Sequence, residues 1–123
     1  MANISFTSKE LVAEAVVEHI TRSYEDAHIQ TFYINGYAPP DKIMPYGKEA
    51  QGYTPDIVHR SEEGVELYEI ELDKKVKIDK WKLFSRYAQK EKSTFSIVTH
   101  EQNLDHFRAL LKSNHISAKL IYF

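Results

Sequence analysis

Residues 53–72 read YTPDIVHRSEEGVELYEIEL. Residues 53–60 and 65–72 are rich in aromatic and β-branched side chains, and Ser61-Glu62-Glu63-Gly64 between them is a short turn with glycine last, so the stretch reads as an antiparallel hairpin. Side chains alternate along a strand, which puts Glu69 and Glu71 on one face roughly 7 Å apart and Tyr68, Ile70 and Leu72 on the other. Counting outward from the turn, Asp56 falls close to opposite Glu69, a pairing that brings Cβ atoms to roughly 5 Å.

Three carboxylates on neighbouring strands repel one another, and burial penalises their charged forms, so a sequence that keeps them usually supplies a cation. Hard oxygen donors on rigid strands suit Mg²⁺ or Mn²⁺. A metal so placed polarises a phosphoryl oxygen and acidifies water, the chemistry of phosphodiester hydrolysis. Without an ion, Asp56, Glu69 and Glu71 read as a solvent-facing acidic edge.

Outward from the hairpin, residues 7–24 form an amphipathic helix with Thr7 or Ser8 as N-cap and Glu10, Glu14 and Glu18 four apart on its flank. Residues 29–37 (IQTFYINGY) read as a strand. Residues 38–52 hold Pro39, Pro40, Pro45, Gly47 and Gly52 and read as a long loop or flap. A helix over 76–90, a buried strand over 95–100, a helix over 102–113 and a strand over 117–123 follow. The order αβββαβαβ predicts an α/β fold with a mixed central sheet flanked by helices. At 123 residues and 14.3 kDa the chain reads as a single domain, 1–123.

Charge is segregated along the chain. Between Lys74 and Lys92 eight lysines and arginines stand against Asp79 and Glu91, a local +6 that leaves −8 on the rest of a chain of net charge −2. At 100° per residue Trp81, Phe84 and Ala88 share one stripe of the 76–90 helix, while Lys75, Lys82, Arg86 and Lys90 share a stripe nearly opposite. That cationic stripe reads either as a solvated face or as a sequence-independent track for a DNA or other nucleic-acid backbone. Tyr87 borders it.

The composition excludes several classes. With no cysteine there is no disulfide, thiolate zinc site, iron–sulfur cluster or cysteine nucleophile. The six histidines (19, 28, 59, 100, 106, 115) have no metal-ligand spacing, and His59 falls on the strand face opposite Asp56. Neither a signal-peptide pattern nor a run of roughly 18 apolar residues is present, so a cytoplasmic location with no membrane partner is expected.

Pro55-Asp56, then Glu69-Ile70-Glu71, with a glutamate-bearing leading helix and a basic helix after the third strand, resembles the PD-(D/E)xK nuclease superfamily. The restriction-endonuclease-like fold of that family has an αβββαβ core, and small Holliday-junction resolvases and VRR-type nucleases are of similar length. The resemblance implies a Mg²⁺- or Mn²⁺-dependent nuclease acting on DNA, with Asp56 and Glu69 as metal ligands and Ile70 as the buried middle residue. It further implies that Glu18 or Glu14 completes the metal shell. The motif lysine falls at position 71, where this chain has glutamate. Some restriction enzymes are similar in carrying an acid there, which makes Glu71 a third ligand, and in other members the lysine has moved to the next helix. Lys82 is the first choice for that displaced lysine, with Lys77 and Lys80 behind it. A catalytically inactive module of this fold, binding nucleic acid or a protein partner, is the alternative. Cutting of both strands of a duplex implies a two-fold homodimer.

Overall fold

The computed structural model describes residues 8–45 and 51–123. Helix α1 (Lys9–Ser23) is followed by strands β1 (His28–Thr31), β2 (Ile57–Ser61) and β3 (Gly64–Ile70), helix α2 (Ile78–Lys90), strand β4 (Thr94–Thr99), helix α3 (Leu104–Ser113) and strand β5 (Lys119–Tyr122). This is the αβββαβαβ order. The strands form one five-stranded sheet in the order β1-β2-β3-β4-β5. β1, β2 and β3 are antiparallel neighbours, whereas β3–β4 and β4–β5 are parallel.

Connectivity decides the layers. The crossovers β3-α2-β4 and β4-α3-β5 step across the sheet in the same direction, and the right-handed rule then puts α2 and α3 on one face. Their apolar stripes, including Trp81, Phe84, Phe107 and Leu111, pack with Val58, Leu67, Phe95 and Ile97. On the other face α1 buries Val12, Ala13, Val17 and Ile20 against Ile57, Tyr68, Ile70 and Val98. Strand alternation is therefore realised as read: Tyr68 and Ile70 face α1, and their neighbours face α2.

The hairpin register runs from Ser61↔Gly64 to Ile57↔Tyr68. Glu62 and Glu63 make the turn, and Gly64 has φ +135°, a conformation that side-chain-bearing residues rarely adopt. The Ser8 side chain caps α1, accepting from the Glu10 amide at 3.2 Å. Thr7, the other cap candidate, and residues 46–50 of the expected flap lie outside the described residues.

Several elements are shorter than the sequence pattern implies. β1 ends at Thr31 rather than at position 37, because the Thr31 amide donates to the Ala38 carbonyl at 2.9 Å and the chain doubles back through Gly36, φ +96°. The aromatic residues 32–37 thus belong to a loop. Residues 53–56 also leave the strand pattern: Tyr53 makes an isolated bridge to Ile43, and β2 proper begins after Pro55-Asp56. α2 starts at Ile78, so Lys75 precedes the helix. A 3₁₀ turn (Glu101–Asn103) leads into α3.

The α2–α3 side carries the largest aromatic packing, with Trp81 and Phe107 edge to face at 5.2 Å and Phe84 and Phe95 at 5.6 Å. Phe107→Ala is expected to lower the unfolding free energy by about 3–5 kcal/mol, read as a fall in urea midpoint at unchanged slope. Phe32→Ala, at a side chain 60% exposed, is expected to stay within about 0.5 kcal/mol of the parent.

A buried carboxylate cluster at the end of the hairpin

Beyond Ile57↔Tyr68 the β2–β3 ladder continues through side chains instead of backbone carbonyls. The Asp56 amide donates to Glu69 Oε1 at 3.2 Å, and the Ile70 amide donates to Asp56 Oδ2 at 2.8 Å. Proline at 55 offers no amide to extend the ladder, and the strands splay where the two acids take over. Asp56 and Glu69 are thus opposite each other, as the turn count implies, and Glu71 follows on the same face. All three are buried, with 7%, 1% and 8% of their surface exposed.

Each acid is held by donors from other elements. Tyr33, in the loop after β1, donates its hydroxyl to Asp56 Oδ1 at 3.2 Å. Lys9, in the first turn of α1, brings its ammonium to Asp56 Oδ2 at 3.3 Å. Lys80, in the first turn of α2, forms an ion pair with Glu69 and lies 3.5 Å from Glu71 Oε2. The Trp81 indole N–H donates to the same Glu71 oxygen at 2.8 Å. Three carboxylates therefore share two ammonium groups, and full ionisation leaves one negative charge unmatched.

Electrostatics follow from that count. Burial, with Asp56 beside it, pushes the Glu69 carboxyl up to about 8, against the opposing pull of Lys80. Burial pulls Lys80 down, but Glu69 and Glu71 outweigh it, so the ammonium is held above its ordinary value. The same balance holds Lys9 up through Asp56, Glu69 and Glu71. Burial and the neighbouring Asp56 raise the Tyr33 phenol, which keeps its proton and remains a donor.

With Glu69 protonated, the two remaining carboxylates match the two ammonium groups. Among the described residues no three His, Asp or Glu side chains stand ready-made to hold a metal ion. Lys9 already pairs with Asp56, and Lys80 with Glu69 and Glu71. Lys80, held jointly by Glu69 and Glu71, is the cation placed between these two acids. The donor set, three carboxylates without sulfur or clustered imidazole, fits Mg²⁺ or Mn²⁺.

The other sequence candidates are distributed as follows. Glu18 is not brought to the cluster: it is exposed and pairs with Arg22 at 2.5 Å. It lies nine residues from Lys9, about 13.5 Å along α1 and about half a turn around it. Glu14 is exposed as well. Lys82 is not the lysine at the carboxylates; Lys80 is. From the centre of the Trp81/Phe84/Ala88 stripe, Lys80 lies about 75° around α2 and Lys82 about 125°, so only Lys80 projects toward the sheet end. Lys82 is half-buried, Arg86 and Lys90 are exposed on α2, and Lys75 is exposed before the helix begins. His59 is fully buried and meets Glu66 at 2.7 Å, away from the cluster. No helix among the described residues is long and apolar enough to cross a membrane.

Lys9, Tyr33 and the Trp81 indole are site residues that the sequence pattern does not single out. Lys9 and Tyr33 reach Asp56 across 47 and 23 positions of chain, and Trp81 carries only the signal of a core residue. Helical phase does favour Lys80 over Lys82.

Comparison with protein-family models, with curated proteins and with solved structures finds no match.

The pH behaviour has a definite sign. A carboxyl whose folded-state pKa is raised contributes stability that is complete below the ordinary carboxylate range and is lost as pH rises through about 8. Carbon-detected NMR is expected to place the Glu69 titration well above an ordinary glutamate, and Lys80→Met is expected to move it higher still by removing the cation that opposes the shift. A Glu69 midpoint in the usual range of about 4 contradicts this assignment.

Proposed function

We propose that the protein is a metal-dependent nuclease that hydrolyses DNA phosphodiester bonds at the Asp56–Glu69–Glu71 cluster. The observation that carries this reading is the charge balance: three buried carboxylates held by two lysines, with one negative charge unmatched. Buried carboxylates in excess of their cations are costly, and binding a hard cation and a phosphate is a use that offsets that cost. The element order and the Pro55-Asp56…Glu69-Ile70-Glu71 spacing support a restriction-endonuclease-like arrangement and the resemblance to PD-(D/E)xK nucleases.

Asp56, Glu69 and Glu71 would hold Mg²⁺ or Mn²⁺. The metal, when bound, supplies Lewis-acid charge to the phosphoryl group and acidifies water. Tyr33 and the Ile70 amide fix the Asp56 carboxylate, and Trp81 fixes Glu71, so these two acids present their oxygens without rotamer searching. Lys80, which pairs with Glu69 and Glu71, would offer its ammonium to the phosphate and stabilise the charge that develops there, the role of the displaced motif lysine. Lys9 does the same from the α1 side, and Lys82, Arg86 and Lys90 hold the strand's flanking phosphates.

The alternative, an inactive module that binds nucleic acid or a protein partner, draws on the same two lysines, which neutralise most of the cluster without metal.

Cleavage assays separate the two. With Mg²⁺ or Mn²⁺ the parent is expected to cut DNA and chelator to stop it. Asp56→Asn and Glu69→Gln are expected to abolish cutting with the fold retained, and Lys80→Met to slow it by about 10²–10³-fold. Absence of cutting on single-stranded, duplex, flap and junction DNA leaves the inactive-module reading.

A further inference from the structure

A groove of about 520 Å³ opens between residues 41–45 and α2. Its lining includes the apolar side chains Val58, Leu67 and Leu83, with Tyr87 beside them. Among the described residues of its lining, Lys42, Arg60, Arg86 and Lys90 stand against Asp41 and Glu91, a net +2. Leu83, Arg86, Tyr87 and Lys90 recur at i, i+3, i+4 and i+7, so a single stripe of α2 supplies both the apolar and the cationic character. At one end the lining includes Pro55, which is peptide-bonded to Asp56 of the carboxylate cluster.

An apolar surface lined by guanidinium and ammonium groups does not match a paired duplex, whose flat base faces are stacked inward and which offers a protein only its phosphates, sugars and base edges. It matches one nucleotide of an unpaired strand, which offers a flat apolar base together with an anionic phosphate. The volume lies within the range of small-ligand pockets. Resting on the nuclease reading, we propose that this groove takes an unpaired nucleotide next to the phosphate at the carboxylate cluster, with the base on Leu83 and Tyr87 and the phosphates on Arg86 and Arg60. The substrate class is then single-stranded or locally opened DNA. Tyr87 is its specificity-determining residue, Arg86 is a phosphate anchor, and Lys42 and Arg60 add positive charge to the lining.

The test is binding by fluorescence anisotropy in chelator, where no cutting occurs. The probes are a labelled 5′-phosphorylated trinucleotide, its abasic counterpart and a duplex of equal charge. The trinucleotide is expected to bind about tenfold or more tightly than the abasic strand. Tyr87→Ala is expected to erase that ratio, whereas Arg86→Ala weakens both strands alike and flattens their salt dependence. Tyr87→Phe, which keeps the ring and the packing, is expected to retain the ratio. Equal affinity for the normal and abasic strands, preference for the duplex, or no binding at millimolar strand overturns the proposal. Glu69→Gln separates this inference from the nuclease reading. Base-dependent binding shared by parent and Glu69→Gln, with no cutting by the parent, upholds the groove and rejects the nuclease; cutting without base-dependent binding does the reverse.

Discussion

The burial of Asp56, Glu69 and Glu71 at the open end of one hairpin is the constraint around which the rest of this molecule is arranged. Each acid is nine-tenths or more out of water, and like charges so placed are tolerated only with compensating partners. The partners come from four separate segments: Lys9 on α1, Tyr33 after β1, and Lys80 and Trp81 on α2, with the backbone amides of the hairpin itself. The cluster therefore ties both helical layers to the sheet. The helix starts at Lys9 and Ile78 bring cationic side chains close to the acids, so the layer packing sets the charge balance.

Helix α2 shows how one segment serves several surfaces. Trp81, Phe84 and Ala88 bury into the core, and Lys80 turns to the carboxylates. Leu83, Arg86, Tyr87 and Lys90 line the groove. Trp81 belongs to two of these surfaces, since its ring packs on Phe107 and its N–H donates to Glu71. Rigid packing of the indole thus fixes one carboxylate directly, a coupling of core and site that a solvent-exposed donor would not provide.

Much of this was legible in the sequence because the deciding signals are local. Alternation in YEIEL put Tyr68 and Ile70 opposite Glu69 and Glu71, and the Ser61–Gly64 turn set the register that brings Asp56 to Glu69. Those signals depend on near neighbours and a period of two. What escaped is non-local or sits where local signals are weak. Strand β1 stops early because Thr31 bonds Ala38 across a turn, although Phe32, Tyr33 and Ile34 have high strand preference. Lys9 and Tyr33 meet Asp56 only through the tertiary fold. Lys80 and Lys82 differ by two positions in the same basic run, and only helical phase against the buried stripe separates them. Glu18 carries the right chemistry on the wrong side of α1, where Arg22 is its partner.

Full ionisation would leave the cluster one negative charge in excess, and the proposed exchange of the Glu69 proton for a hard cation is tested by titrating Mn²⁺ into the protein. Calorimetry in buffers of different ionisation heat reports proton release, and the emission of Trp81, the only tryptophan of the chain, reports the Glu71 end of the site. The expected result is one bound Mn²⁺, accompanied by proton release at neutral pH, an affinity that rises as pH approaches the Glu69 titration, and a change in Trp81 emission that saturates with the heat. No heat and no change in emission up to millimolar Mn²⁺ would contradict it.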